Sequence, residues 1–389
     1  MNSTSSRLHV VDALRGFAIV SIMLLHNVEH FDLFYRPSGL PEWMNSIDRS
    51  ITNILYFLFG GKSYEIFALL FGLTFFIQSN NQKHKGKDFR ARFAWRLLLL
   101  LIFGIINSSF YEGDVLTLYA ILGFSLIPVA KLKNKIVLVI AVALMLQPYE
   151  WFVLVKAILN PDLKAIDPRS WSYFSKSYAY LTGDSLFNLW TGNLTNGKLS
   201  VFYWSWEEGR VFQTVSLFML GMLAGRKSLF ALSDKNKVLW IRLLIIASLL
   251  FIPLFIFRNT VISDIANAAI RRPARAIVAS WSNFAFMMVL VSGFVLLFQA
   301  RYFHSILNVF SSFGRMSLSN YMIQSILGSF IYYGFGLGLY QYTGATYCLF
   351  IGIALAVFQG FFSSWWMKRH KQGPFEIIWH KTTWIGYNS

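Results

Sequence analysis

The chain reads as an all-α polytopic membrane protein, a bundle of about ten transmembrane helices with both termini cytoplasmic. Three observations predict this. Hydrophobic residues make up 56% and charged residues 14%, with a mean hydropathy of +0.50, a composition suited to lipid. Apolar runs of about 20 residues recur from end to end, and 389 residues leave little over for a soluble domain. Lys and Arg gather in the short loops between those runs, as topology signals do. That clustering argues against a nucleic-acid partner, which the net charge of +17 would otherwise suggest. The partner it implies is membrane lipid. Residues 1–389 are taken as a single transmembrane domain.

The first span is about 12–28, DALRGFAIVSIMLLHN and its continuation. No small-residue cleavage site follows its apolar run, so an uncleaved helix is expected. Residues 29–61 hold Pro37, Gly39 and Pro41. Their second part is amphipathic, and either lies along the outer surface or dips back in. Span two is about 62–79. The densest basic loop follows, with Lys83, Lys85, Lys87, Arg90, Arg92 and Arg96. Spans three (93–110) and four (114–130) are joined by the acidic turn YEGD, and span five is about 136–157. Residues 158–209, rich in Trp, Tyr and Ser, read as an external loop or interfacial helices. Spans six to ten are placed near 210–226, 238–257, 277–299, 314–335 and 345–367. Between seven and eight, 258–276 forms a second external connection. With both ends on one side, that side holds 22 of the 35 Lys/Arg, which makes it cytoplasmic. The four arginines of 258–276 (Arg258, Arg271, Arg272, Arg275) break the rule. They mark an anion-binding element or a span count off by one. The single cysteine, Cys348, falls within a span, so one chain can form no disulfide and no thiolate metal cluster.

The residues able to do chemistry begin in span one. Arg15 and His26 are eleven residues apart, almost three turns, so they share a face about 16 Å apart. Ionisable groups in a span usually face a protein interior or a wet cavity. Asp12 pairs with Arg15 at i, i+3, either as a helix-start pair or as part of a site receiving a phosphate or carboxylate. An imidazole's unperturbed pKa lies near neutrality, so His26 suits a general base, or else it bridges helices. Its neighbour Asn27 orients a carbonyl or caps the helix. Glu65 either pairs with Lys62 or orients His26 or an acceptor hydroxyl. Late in the chain, Ser317, Asn320, Tyr321 and Gln324 form a stripe at i, i+3, i+4, i+7 beside Arg315, either helix glue or the lining of a polar site. Glu112 and Asp114 have no evident third ligand, so no metal is assigned. Glu207, Glu208 and Arg210 are expected to pair with one another.

Three motifs, DALRGFAI, GKSYEIFALLFG and the run GRMSLSNYMIQS…GPFEIIW, make the chain similar to the YeiB-like bacterial inner-membrane family, a domain of unknown function. The likeness spans most of the chain outside 158–209. It implies a multi-pass protein of the bacterial plasma membrane. The family in turn resembles the membrane acyltransferases that modify surface sugars. Their arginine, ten intervening residues and histidine match Arg15 and His26. The YeiB-like pattern often has asparagine where His26 stands, so this chain departs from it towards the acyltransferases. That resemblance implies acyl-CoA (acetyl-CoA) as a cytoplasmic donor, with Arg15 on its phosphates and His26 at the acyl group. Asn27 or Asn320 would stabilise the oxyanion, and Arg315 and Gln324 would line the site. The acceptor would be an external small molecule or glycan. The alternative is a transporter or exporter of a small anionic solute; a non-catalytic membrane partner is a third. An oligomer is left open.

Overall fold

The computed structural model describes residues 9–160 and 162–385. The described residues are helices and connecting turns, without strands. In order they are α1 (His9–Val28), α2 (Glu42–Leu58), α3 (Lys62–Lys83), α4 (Arg90–Phe110), α5 (Leu116–Gly123), α6 (Leu126–Val129), α7 (Asn134–Met145) and α8 (Pro148–Leu159). Then come α9 (Arg169–Leu181), α10 (Leu186–Gly192), α11 (Lys198–Glu207), α12 (Arg210–Arg226), α13 (Asp234–Phe257) and α14 (Ala268–Gln299). The chain closes with α15 (Arg301–Asn308), α16 (Phe310–Arg315), α17 (Ser317–Tyr332), α18 (Ala345–Arg369) and α19 (Pro374–Trp384).

Six stretches are long and apolar enough to cross a membrane: α1, Glu42–Lys83, α4, Asp234–Ile262, α14 and α18. The pair α7–α8, bent by 40°, makes a seventh if counted as one. Two expected spans are therefore interrupted. Span five breaks where Pro148 follows Gln147, which takes a left-handed φ of 61°. A proline ring disfavours helix in the residue before it. Span four breaks between Gly123 and Leu126.

Two motifs owe their glycines to close packing. A Cβ on Gly16 would strike the Phe310 carbonyl, and one on Gly314 the Asp12 carbonyl, so α1 and α16 touch backbone to backbone. Gly72 meets Phe218 and Gly221 meets Leu69 in the same way between α3 and α12. Small residues permit such approach between membrane helices. The third motif closes on itself. Glu376 of α19 accepts hydrogen bonds from the N–H groups of Leu318 (2.7 Å) and Ser319 (3.2 Å), in the first turn of α17. A carboxylate there satisfies otherwise unpaired donors and complements the helix dipole.

The 158–209 segment folds as α9–α11 with a π turn at Asn193–Gly197. It docks on the YEGD turn. Tyr180 donates to Glu112 (2.7 Å), Lys198 pairs with Asp114 (3.3 Å), and Asn193 donates to the Ser109 carbonyl (3.1 Å). Asp114 also accepts from the Thr117 N–H at 3.0 Å. Glu207 does not pair with Arg210. It caps α9 through the N–H of Arg169 at 2.7 Å. Of the external arginines, Arg272 clips this insertion, bonding Asp167 at 2.8 Å and stacking on Trp171. Arg271 bonds the Ile265 carbonyl at 3.0 Å. Arg7, one of the cations counted for topology, lies outside the described residues.

Candidate functional site

The site is built on α1. Its first half faces a cavity of about 540 Å³ that opens on the face bearing the basic loops. Arg15 donates to the Thr74 hydroxyl (2.9 Å), to Asp12 (3.4 Å) and to the Gly314 carbonyl (3.5 Å). The expected Asp12–Arg15 pair is present, and both residues line the cavity with Arg315. Arg315 also donates to the Lys371 carbonyl at 3.3 Å. The walls are apolar, with Phe67, Phe71, Phe75, Leu97 and Leu100, and the deep end reaches Ile22, Val115 and Tyr321.

His26 stands one turn beyond Ile22. Its Nδ1 lies 3.2 Å from Glu29 and 3.0 Å from the Tyr111 hydroxyl. The ring packs 4.8 Å from that of Tyr111 and 5.7 Å from that of Phe31. With a proton on Nδ1 donated to Glu29, Nε2, 3.5 Å from the same Tyr111 hydroxyl, is the ring's acceptor. Beyond lies a second cavity of about 930 Å³, floored by Glu29 and His30 and walled by Trp43, Asp48, Arg49 and Tyr56 of α2. Tyr56 also hydrogen-bonds Glu29. His26 lines neither cavity itself: the first reaches Ile22, one turn before it, and the second reaches Val28 and Glu29, just after it.

The chain leaves α1 by an unusual route. His30, Phe31 and Asp32 all have positive φ, 47°, 54° and 70°. Three consecutive non-glycine residues in that region cost about 1–3 kcal/mol each. Tyr333 holds the turn by donating to the Phe31 carbonyl, and His30 Nε2 lies 2.8 Å from the Thr343 carbonyl. The turn brings Asp32 back to hydrogen-bond Tyr111.

Loss of water, with Glu29 nearby, pushes Asp32 up to about 7. Burial and the neighbouring Asp32 push Glu112 up to about 8, against hydrogen bonds from Tyr180 and Ser177 that lower it. A carboxyl with a raised folded pKa contributes stability at low pH that is lost as pH climbs through that value. Thermal stability in detergent should therefore fall between about pH 4.5 and 8, and Glu112→Gln should flatten the profile. An identical slope in the variant would remove Glu112 as its source.

Several expected residues play other parts. Glu65 does not orient His26, and that expectation is corrected. It pairs with Arg210 at 3.3 Å, and Arg210 also donates to Gln213 at 2.9 Å. The carboxylate beside His26 is Glu29, three residues along the same helix face. Asn27 donates to the Met23 carbonyl (2.7 Å) and accepts from Tyr332 (2.9 Å). Asn320 donates to the Phe313 carbonyl and to Ser363. Both amides are thus engaged in helix packing. Gln324, one turn beyond Tyr321, is buried with both amide atoms unpartnered. Reading the chain for ion pairs missed Glu29 and Tyr111. The first was visible as an i, i+3 neighbour; the second comes from 85 residues away.

Comparison with known proteins gives relatives without assigned activity. The chain is similar to the uncharacterized protein YxaH of Bacillus subtilis, 29% identical over 99% of this chain and 96% of the relative. It is also similar to an uncharacterized 39.9 kDa protein in the amylase 3' region of Bacillus acidopullulyticus, 26% identical over 97% and 94%. No solved structure matches. Residues 224–386 match the family DUF418, a protein of unknown function, the kind of family to which the three motifs pointed.

Proposed function

We propose that the chain is an integral membrane acyltransferase, passing an acyl group, acetyl in the simplest case, from cytoplasmic acyl-CoA to a hydroxyl or amine on the external side. One observation carries this reading: the cavity on the basic face reaches Ile22, one turn before His26 on α1, and the second cavity reaches Glu29, which pairs with His26. A donor entering from the basic face would set its phosphates near Arg15. Its pantetheine arm would run along the apolar wall, bringing the thioester about 16 Å up the helix. The polar and aromatic cleft of the second cavity suits a glycan or other polyhydroxyl acceptor. Nε2 of His26 takes the acceptor's proton as its oxygen or nitrogen bonds to the acyl carbon. The carbon–sulfur bond then breaks, and the thiolate recovers the proton from His26. Glu29 steadies the imidazolium. Gln324 is the amide left to polarise the carbonyl, since Asn27 and Asn320 are engaged.

This reading takes ten crossings. Beyond the six apolar stretches they are α5–α6, α7–α8, α12 and α17. Both termini and the basic loops lie in the cytoplasm, and the membrane is the bacterial inner membrane. The test is purified protein given acetyl-CoA labelled in the acetyl group, with and without polyol acceptors. Free CoA and labelled acceptor are expected. Well-folded protein that neither binds nor turns over acetyl-CoA, yet passes anions across proteoliposomes, would make it a carrier instead.

A further inference from the structure

The cavity on the basic face holds a cation that the mechanism above does not use. Arg96, in the second turn of α4, lines it and is only 9% exposed. Its guanidinium stacks on Trp379 of α19 at 4.0 Å and donates one hydrogen bond, to the Thr383 hydroxyl at 3.3 Å. Among the described residues no carboxylate lies within ion-pair distance of it. Two other largely buried cations are neutralised, Arg210 by Glu65 and Lys198 by Asp114. Of the acids that share the cavity, Asp12 pairs with Arg15 and Glu376 is committed to the first turn of α17. An uncompensated buried charge is costly, and that cost falls away when an anion arrives. A guanidinium has five donors, and the stack on Trp379 occupies its face, leaving N–H edges for a bidentate oxyanion.

We infer that Arg96 is the primary phosphate-binding residue of this cavity, held in place by α19. The ligand class is a molecule with a phosphate or pyrophosphate head and a long uncharged arm. Resting on the acyltransferase reading, this assigns the donor's phosphates to Arg96, with Lys371 adding charge at the mouth. The apolar wall formed by Phe75, Phe93 and Leu97 takes the arm and keeps water from the ion pair.

The experiment is equilibrium binding of CoA, inorganic pyrophosphate and pantetheine to the full chain in detergent. Wild type should bind the two phosphorylated probes and bind pantetheine weakly. Arg96→Gln should lose about 10- to 100-fold in CoA affinity, the worth of a charged bidentate contact, with pantetheine unchanged. Because Arg96 also anchors α19, Arg96→Lys is measured beside it, keeping the charge while losing the bidentate edge. It too should weaken pyrophosphate binding. Lys371→Ala, at the exposed rim, should lose less than either. CoA affinity within twofold of wild type in both Arg96 variants would overturn the assignment, as would wild type that binds neither phosphorylated probe. Binding through Arg96 without acetyl transfer would sink the transferase reading and leave this site standing. Transfer with affinity indifferent to Arg96 would do the reverse.

Discussion

His26→Ala should lower acetyl transfer by about 10²- to 10⁴-fold while leaving CoA affinity near that of wild type, the range removed with a positioned general base. The split matters. His26 lies beyond the deep end of the cavity on the basic face, so its loss should not touch ligand binding there. Its bonds to Glu29 and Tyr111 are peripheral to the packing of α1, whose buried face is carried by Leu14, Ala18, Ile19 and Met23. Glu29→Gln should reduce turnover less than loss of the ring, because it removes only what holds the Nδ1 proton. Single-turnover assays with labelled acetyl-CoA measure both. Turnover in His26→Ala equal to that of wild type would remove His26 as the general base.

Glu65→Ala should destabilise the fold by about 3–5 kcal/mol, the cost of stranding a buried cation. Glu65 is fully buried, and its partner Arg210 carries the start of α12. Arg210 also stacks on Tyr64 at 5.0 Å and Trp204 at 5.8 Å. A charge left there keeps only the Gln213 hydrogen bond, the two ring faces and the more distant Glu208. The protein should melt at markedly lower temperature, and Glu65→Ala with Arg210→Met should recover part of the loss. A single variant that melts like wild type but loses transfer would return Glu65 to the chemistry.

These two residues show what could be read without coordinates. His26 announced itself, since an imidazole in an apolar run has few reasons to be there. Glu65 was equally conspicuous, but its partner sits 145 residues away across the α3–α12 contact, and no local spacing announces it. Arg96 was hidden by its surroundings: among six basic residues it looked like one more topology signal, and only its burial beside Trp379 separates it from Arg90 or Lys87. The long apolar helices were legible because length and hydropathy suffice. The interrupted ones were not, because Pro148 stops a helix without changing the hydropathy around it.

The glycine contacts also decide which movements come cheaply. Where α1 meets α16, and where α3 meets α12, main chain rests on main chain, and no side chain can swing aside to let the helices pass. Either pair slides only by lifting apart as whole rods. A carrier that alternates its openings does so by tilting one group of helices against another, and two such planes of main-chain contact lie here. Handing a small group along a stationary α1 asks only for rotations of side chains, which are fast and leave the scaffold untouched. On the proposed transferase reading, the frame keeps still while side chains turn.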